Sequence, residues 1–511
     1  MADSPLSPFT TRTPRELLWP GLLTLASLWV IYVIVYKAFL HPLNRFPGPK
    51  IAKFTNAAHS WWYLGGRQPF DLLELHKKYG HVVRTAPNEL SFNSAQSFKD
   101  IYGFRHGHKP FIKGTFYEGG VFAGRGVTSI VSERDPGKHA QMRRLLAHAF
   151  SNSSLNEQEE LIISSVDRFI ELVKSKTCQQ GEVFDIGKGY ERMAFDIIGD
   201  LAFGQTFGAL ENDEPHPWIS TLLGALTKGA LADTFKRFPA AARVVGLLLK
   251  KQLTKLYADT ALNEQLAIDL VKKRIDSDTV RKDFMTRILE HRSQDRHRAS
   301  DLQLAAHSWD FVAAGSETTS TALSCCTYFA LQNPDIMATL KAEIRGAFAD
   351  PSAINDASTK TLPYLNAVCL EAMRIYPPLP IALPRLVPEG GDTVDGHYLP
   401  AGITVTTNPT AASLDPANFE EPLTFKPDRW LDSAASGKGR DILEASQPFS
   451  LGARGCIGKS LGWMEMRTTL AKVIWTFDLE LVDPSMDWLR DSRMQTLWMK
   501  PPLRIRAKLA K

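Results

Sequence analysis

The chain has 511 residues, 44% of them hydrophobic and 23% charged, a globular balance with ample material for a large core. Its formal charge of +5 is too slight to indicate a nucleic-acid partner, and no long run of Lys or Arg occurs. The cysteines, Cys178, Cys325, Cys326, Cys369 and Cys456, are odd in number and not paired at metal-binding spacing, so neither a disulfide framework nor a zinc site is indicated and a reducing compartment fits best.

The first element is an uncharged run from Leu17 to Tyr36, flanked by Glu16 and Lys37. Its length matches a helix that crosses a bilayer. Trp19, Tyr32 and Tyr36 suit the interfaces, and Pro20 and Gly21 sit near the start, where they cost a helix least. A cleaved signal would have a shorter apolar core followed by small residues, whereas here Lys37 and a proline-rich stretch follow. Residues 1–16 hold balanced charge, while 37–70 hold Lys37, Arg45, Lys50, Lys53 and Arg67 and no acid. Basic flanks stay cytoplasmic. The expectation is a short lumenal N-terminus (1–16), a single-pass anchor (17–36) and a large cytosolic body. Pro42, Pro47 and Pro49 predict a stiff, extended connector over 37–50.

Residues 51–511 read as one mainly α-helical domain with minor β-sheet and no internal linker. His81–Arg84 and Glu89–Phe92 predict a hairpin, with Ala86-Pro87-Asn88 as its turn. From about 134 to 380 the pattern is helical. A helix is predicted over 301–332, with Ser300 and Gln303 as a capping box and Asn333-Pro334 as its stop. Short strands and Pro-rich loops are expected over 381–430, Ile403–Thr407 being the clearest strand. Residues 433–446 read as a flexible surface loop, 458–477 as a helix, and the tail as short extended pieces.

The segment Phe449-Ser450-Leu451-Gly452-Ala453-Arg454-Gly455-Cys456-Ile457-Gly458 places one cysteine among three glycines just before a helix. Glycine permits turns that aim backbone N–H groups at the sulfur and lets a flat ring approach the chain. The start of a helix adds partial positive charge, which favours thiolate over thiol. A thiolate beneath a haem iron pushes electron density toward bound oxygen. Arg454 is a candidate partner for a haem propionate, because a guanidinium fork matches a carboxylate. A buried structural cysteine in a Gly-rich turn is the alternative for such a residue taken alone.

The spacing Phe-x-x-Gly-x-Arg-x-Cys-x-Gly resembles the signature of the cytochrome P450 family, the haem-thiolate monooxygenases, and the likeness extends over nearly the whole chain. It implies Cys456 as the axial ligand of haem b, with Phe449 beside it. Ala314-Gly315-Ser316-Glu317-Thr318-Thr319 is similar to the family's oxygen-binding groove. The resemblance implies that Thr318 holds oxygen and a water, that Glu317 relays protons, and that small residues around Gly315 leave space for a ligand. The opposing interpretation is helix packing by small residues, with Thr hydroxyls bonded to carbonyls one turn back. Glu371 and Arg374 lie three apart on one helix face, and with Arg429 they resemble the family's buried structural brace. His139 and Arg143 stand where the family commonly has Trp and a haem-facing Arg; His in place of Trp is a departure. Arg385 is similar to a further propionate contact.

The resemblance implies insertion of one atom of O₂ into an organic substrate while the other leaves as water. No dinucleotide or flavin fingerprint occurs, so electrons come from a separate protein, in this family an NADPH-dependent reductase at the endoplasmic reticulum membrane. Lys138, Arg143, Arg144, Lys459 and Arg467 are candidates for its basic docking face. Family analogy draws the pocket from around 111–124, 205–240, 310–318, 378–384 and 494–498. The apolar runs Pro377–Leu383 and Met494–Trp498 suit a lipophilic substrate or equally an ordinary core, and the chain's texture resembles fungal members that oxidise terpenoid or polyketide intermediates of secondary metabolism. Alternatives are a haem-thiolate isomerase or dehydratase that needs no O₂, a fatty acid or xenobiotic hydroxylase, and a non-catalytic haem sensor. The intact Glu317-Thr318 pair speaks against the isomerase and the sensor.

Overall fold

The computed structural model describes residues 14–212, 218, 224, 229–277, 281–294, 299–431 and 439–510. Residues 433–438 of the predicted loop at 433–446 and part of 205–240 therefore lie outside the described residues.

One helix, Asp301–Gln332, runs through the middle of the molecule, and 24 of its residues are buried, which leaves almost no solvent-facing side. Its ends follow from chemistry. The Ser300 hydroxyl accepts from Gln303 N at 3.1 Å, and Asn333-Pro334 stops the helix, Pro334 opening the next one. The N-terminal cap is a single bond, not the reciprocal box expected, because only the Ser300 half is made among the described hydrogen bonds. Around this rod pack Ile186–Phe203, which makes its longest contact, then Lys250–Ile275, Pro363–Ile375 and Lys459–Thr476. Large aromatic and aliphatic side chains from these helices fuse into one core.

A smaller core lies under a five-stranded sheet ordered Val82–Ala86, Glu89–Phe92, Thr404–Thr407, Arg385–Leu386, Ile112–Lys113. The first two strands form the expected hairpin, with Val83 opposite Ser91. Glu89–Phe92 runs parallel to Thr404–Thr407, joining segments more than 300 residues apart. At the sheet's far edge Lys113 stands opposite Arg385. A second sheet joins Phe184–Asp185, Arg504–Leu509 and Phe477–Leu481.

Several segments depart from expectation. The apolar N-terminal helix, Pro14–Val35, continues through a wide turn at Tyr36–Leu40, and its membrane-length apolar stretch is Trp19–Leu40. Lys37 does not stop it, because its ammonium leaves the axis and donates to Phe54 O at 2.8 Å. The connector is not simply extended either: Pro42–Arg45 and Lys50–Lys53 are single 3₁₀ turns. Proline at the first position of a helical turn is tolerated there. Within the predicted flexible loop, 439–446 is pinned. Asp441 pairs with Arg429 and accepts from Glu420 N, and Ala445 is buried. A short helix, Pro409–Leu414, capped by Asn408, occupies part of the region expected to be strands and loops.

Candidate active site

Cys456 lies in the turn before the helix Lys459–Thr476. Cys456 N donates to Phe449 O at 2.9 Å and Gly455 N to Gly452 O at 3.0 Å, so the loop folds back on itself. Gly452 has φ +68°, and a Cβ there would sit 2.2 Å from Tyr102 O; any side chain would push the loop off its support. The Phe449 ring stands over the start of the helix, 6.2 Å from Trp463. The other four cysteines are unpaired and set apart: Cys325, Cys326 and Cys369 are fully buried in the helical core, and Cys178 is half-buried near the last strand. Cys456 alone presents an open surface.

Protein crowded around the Cys456 sulfur pushes its thiol up, and the Gly458 N–H, Arg143 and Lys459 only partly offset this. A coordinated metal deprotonates a thiol outright.

The opposite wall is the central helix. Ala314 is exposed and Gly315 and Thr318 are partly so, a window in an otherwise buried rod. Phe150 ties the two walls together: its ring lies 5.2 Å from that of Phe311, and a Cβ on Gly458 would touch it at 4.0 Å. The helix is unbroken through the window. Thr318 Oγ1 donates to Ala314 O at 2.6 Å and Ser316 to Val312 O at 2.7 Å, the backbonding that small polar residues offer. Gly315 also serves packing, because a Cβ there would lie 3.2 Å from Ile198 of the neighbouring helix. Glu317 points into the core. Its carboxylate pairs with Lys500 and accepts from Thr321 Oγ1 at 3.3 Å.

A ring of cations surrounds the cysteine loop. Arg143 donates to Gly455 O at 2.7 Å, and Arg454 donates to Glu133 O and Arg134 O, each at 2.8 Å. Arg385 reaches Tyr117 Oη at 3.3 Å and lies over the Tyr102 ring. Lys113, which sequence reading missed, donates to Ile130 O and Val131 O at 2.8 and 2.7 Å. His139 is buried beside them. Burial and mutual repulsion lower these groups together: Arg454 to about 10, Lys113 to about 7 and His139 to about 3. Their acids are engaged elsewhere, since Glu133 accepts from Thr128 Oγ1 and Asp135 N. A chain that gathers this much like charge is built for an anion with more than one carboxylate. A haem, with two propionates on one edge and an iron for the sulfur, fits this donor set. A two-residue strand far from the cysteine loop carries no sequence signal of its own; only the pairing of Lys113 with Arg385 exposes it.

The brace is separate from this ring. Arg374 makes two 2.8 Å bonds to Glu371, Arg429 Nε a third at 3.0 Å and Trp430 Nε1 a fourth at 2.9 Å. Arg374 also donates to Ser413 O and Pro422 O at 2.8 Å. Two other expectations change. Of the basic docking face, Lys138, Arg144 and Lys459 are exposed, but Arg143 turns inward and Arg467 is buried against Asp356 at 2.7 Å. Met494 and Trp498 are core residues, Trp498 bonded to Pro377 O, so the apolarity of that segment reflects packing.

Comparison with known proteins agrees with this geometry. The cytochrome P450 family profile matches residues 47–508. The cytochrome P450 monooxygenase BipB of Cochliobolus sativus is 47% identical over 506 residues, covering 98% of both chains. The cytochrome P450 monooxygenase ORF11 of Penicillium roqueforti is 48% identical over 467 residues, 91% of this chain and 95% of that one. A trichothecene C-15 hydroxylase of Fusarium sporotrichioides is 36% identical, covering 96% and 98%. The crystal structure of the cytochrome P450DA heme domain superposes with a TM-score of 0.76 at 17% identity, over 91% of this chain and 98% of that one, a likeness of fold. The chain belongs to the cytochrome P450 family and is a haem-dependent monooxygenase.

Proposed function

We propose that this monooxygenase oxidises a lipophilic terpenoid or polyketide intermediate of fungal secondary metabolism, with Cys456 as the axial ligand of haem b. The observation that carries the assignment of the site is the meeting of the Cys456 loop with the opened face of the central helix across Phe150. Haem supplies the activation of O₂ and the oxidising power. Arg385, Arg454, Lys113 and Arg143 hold the propionate edge, and neutral His139 fills the space between them. Thr318 offers a hydroxyl on the open face; Glu317, one residue earlier and paired with Lys500 on the buried side, is assigned the proton relay on the family resemblance, and serves it by swinging off that lysine.

Leu379, Ala382 and Leu383, in the segment that family resemblance assigns to the pocket, are apolar and partly open. This favours a substrate held by shape and apolar contact. The hydroxylase activity in one relative's name supports carbon hydroxylation as the outcome. Electrons come from NADPH through a separate flavoprotein reductase, docked on the side of Lys138, Arg144 and Lys459. The apolar helix Trp19–Leu40 anchors the protein in the endoplasmic reticulum membrane with the body in the cytosol.

The test has two arms. Purified protein, reduced under carbon monoxide, gives the red-shifted Soret band of thiolate ligation, and Cys456→Ala abolishes it. Metabolites compared between fungal cells with and without the protein show an accumulated apolar precursor and a missing oxygenated product. A normal band with turnover independent of O₂ defeats the monooxygenase assignment of the site.

A further inference from the structure

The apolar N-terminal helix leaves the body beside a cleft of about 530 Å³, and none of the side chains that line it is acidic. Its depth follows from the helix. A rise of about 1.5 Å per residue puts Tyr36 about 26 Å along the axis from Trp19, close to the thickness of a hydrocarbon core, so the two rings mark opposite interfaces. Tyr36 lines the cleft, which therefore lies at headgroup level. Lys37 carries the only charge in the lining, since burial holds His41 below its usual pKa and keeps it neutral. The Lys37 ammonium gives one hydrogen to Phe54 O at 2.8 Å and keeps two. No acid pairs with it among the described residues, and 37–70 contain none. Two amides line the same space. The Thr55 hydroxyl accepts from Ala57 N at 3.2 Å at the start of the helix Ala57–Leu64, and the Asn56 side chain makes no capping bond. His41 Nδ1 accepts from Leu43 N and from Arg84 Nη2, both at 3.1 Å, so its proton is on Nε2 and goes to Asn88 Oδ1 at 2.8 Å. That fixes the Asn88 amide and leaves its N–H₂ group as a donor. Phe54 and Phe238 add an aromatic wall. Phe238 leads into Pro239–Leu248, an apolar helix whose Val244, Leu247 and Leu248 are exposed. Two apolar helices thus adjoin one polar cleft.

We propose that this cleft holds the headgroup phosphate of an anionic bilayer phospholipid, bound by the Lys37 ammonium and the amides of Asn56 and Asn88, with Tyr36, Phe54 and Phe238 against its glycerol and upper acyl carbons. This rests on the anchor reading of Trp19–Leu40 above. Charge selects the lipid. One ammonium answers one phosphodiester, and hydrogen bonds to an ionised phosphate are stronger than those between neutral groups. A zwitterionic headgroup would bring a second cation beside Lys37 with no carboxylate to receive it. The site therefore favours a lipid whose headgroup beyond the phosphate is hydroxylated and uncharged. Bound there, one lipid bridges the last turn of the anchor at Lys37, the start of Ala57–Leu64 at Asn56 and the sheet hairpin at Asn88, and so sets how the body sits on the membrane.

The test uses the haem-loaded full chain, extracted from membranes of phosphatidylcholine with a minor share of phosphatidylinositol and weighed by native mass spectrometry. The expected result is one retained phosphatidylinositol per chain, enriched over its share of the membrane. Retention falls several-fold in Lys37→Gln and in Asn56→Leu and survives in Lys37→Arg. It is unchanged in Lys50→Gln, which removes an equal charge from an exposed position outside the cleft. Samples are compared at equal reduced carbon monoxide bands, so that unfolded chain is not counted. Phosphatidylinositol that persists in Lys37→Gln overturns the proposal. So does an equal loss in Lys50→Gln, which marks a diffuse basic surface, or displacement by inorganic phosphate, which marks a site for the free ion. Retention of phosphatidylcholine in its place overturns it too, since the aromatic wall would then be holding choline. Flotation with liposomes in alkaline carbonate separates the failures. A native chain that does not float defeats the anchor reading and the site with it; one that floats and keeps no phosphatidylinositol defeats the site alone.

Discussion

Two charged regions of this protein differ in one respect. Around Glu371 every charge is answered. The carboxylate takes bonds from Arg374, Arg429 and Trp430, and the spare guanidinium hydrogens go to backbone carbonyls or Asp441. All three principal side chains are at most 2% exposed. Around Cys456 the balance is different: Lys113, His139, Arg143, Arg385 and Arg454 converge, and their acids are turned to other work. A network closed on itself has an architectural role. One that leaves like charges facing each other across paired strands destabilises the chain and is retained for what it binds.

The largest expected effect tests the second region at its centre. Cys456→Ser removes the one openly presented cysteine thiol and should abolish thiolate-type carbon monoxide spectra and all turnover, measured on protein that still expresses. The next breaks the first region. Glu371→Gln leaves the Arg374 guanidinium buried without its counter-charge and Arg429 with Asp441 alone, a loss of about 3–5 kcal/mol. Chemical denaturation or the yield of folded protein measures it, and a stability within 1 kcal/mol of native, taken as about the level of an exposed pair, would sink the architectural reading.

That contrast was only half legible in the chain. The cysteine loop could be read because its chemistry is local: glycines, a cysteine and a helix start within ten residues. The ends of the central helix were visible for the same reason, since Ser300 and Asn333-Pro334 act on adjacent backbone. Lys113 was invisible. It matters because a two-residue strand pairs with Arg385 across some 270 residues, and no local pattern announces that. A second constraint on Gly315, the packing of Ile198 from another helix, has no local signal either. Arg467 was counted as surface because nothing nearby in sequence shows that Asp356 packs over it. Local chemistry is written in order along the chain, whereas charge balance is a property of the folded neighbourhood.

The cation ring itself is tested by Arg385→Leu and Arg454→Leu. A hydrogen bond to a charged group contributes about 1.5–3 kcal/mol, so each variant should release haem about tenfold to a hundredfold faster. Transfer of haem to an apoglobin acceptor measures this. An unchanged rate in both variants would mean that the ring is architectural too, and the contrast between the two regions would fail.

The finest test is the pH dependence of haem affinity, through Lys113. Burial and the neighbouring Arg454 and Arg385 lower its pKa to about 7 in the chain alone. A bound carboxylate nearby favours the ammonium and raises that value. Above pH 7 the haem-free protein then holds Lys113 mostly neutral while the haem-bound protein keeps it charged. Haem binding takes up a proton there, so affinity falls as pH rises from about 7 toward the haem-bound pKa, by less than tenfold over the first unit. Below pH 7 both states carry the proton and the dependence vanishes. Lys113→Met should bind haem more weakly at neutral pH and lose this slope. A slope that survives in Lys113→Met belongs to another group, and Lys113 would then be a strut for the Ile130 and Val131 carbonyls and not a partner of the anion.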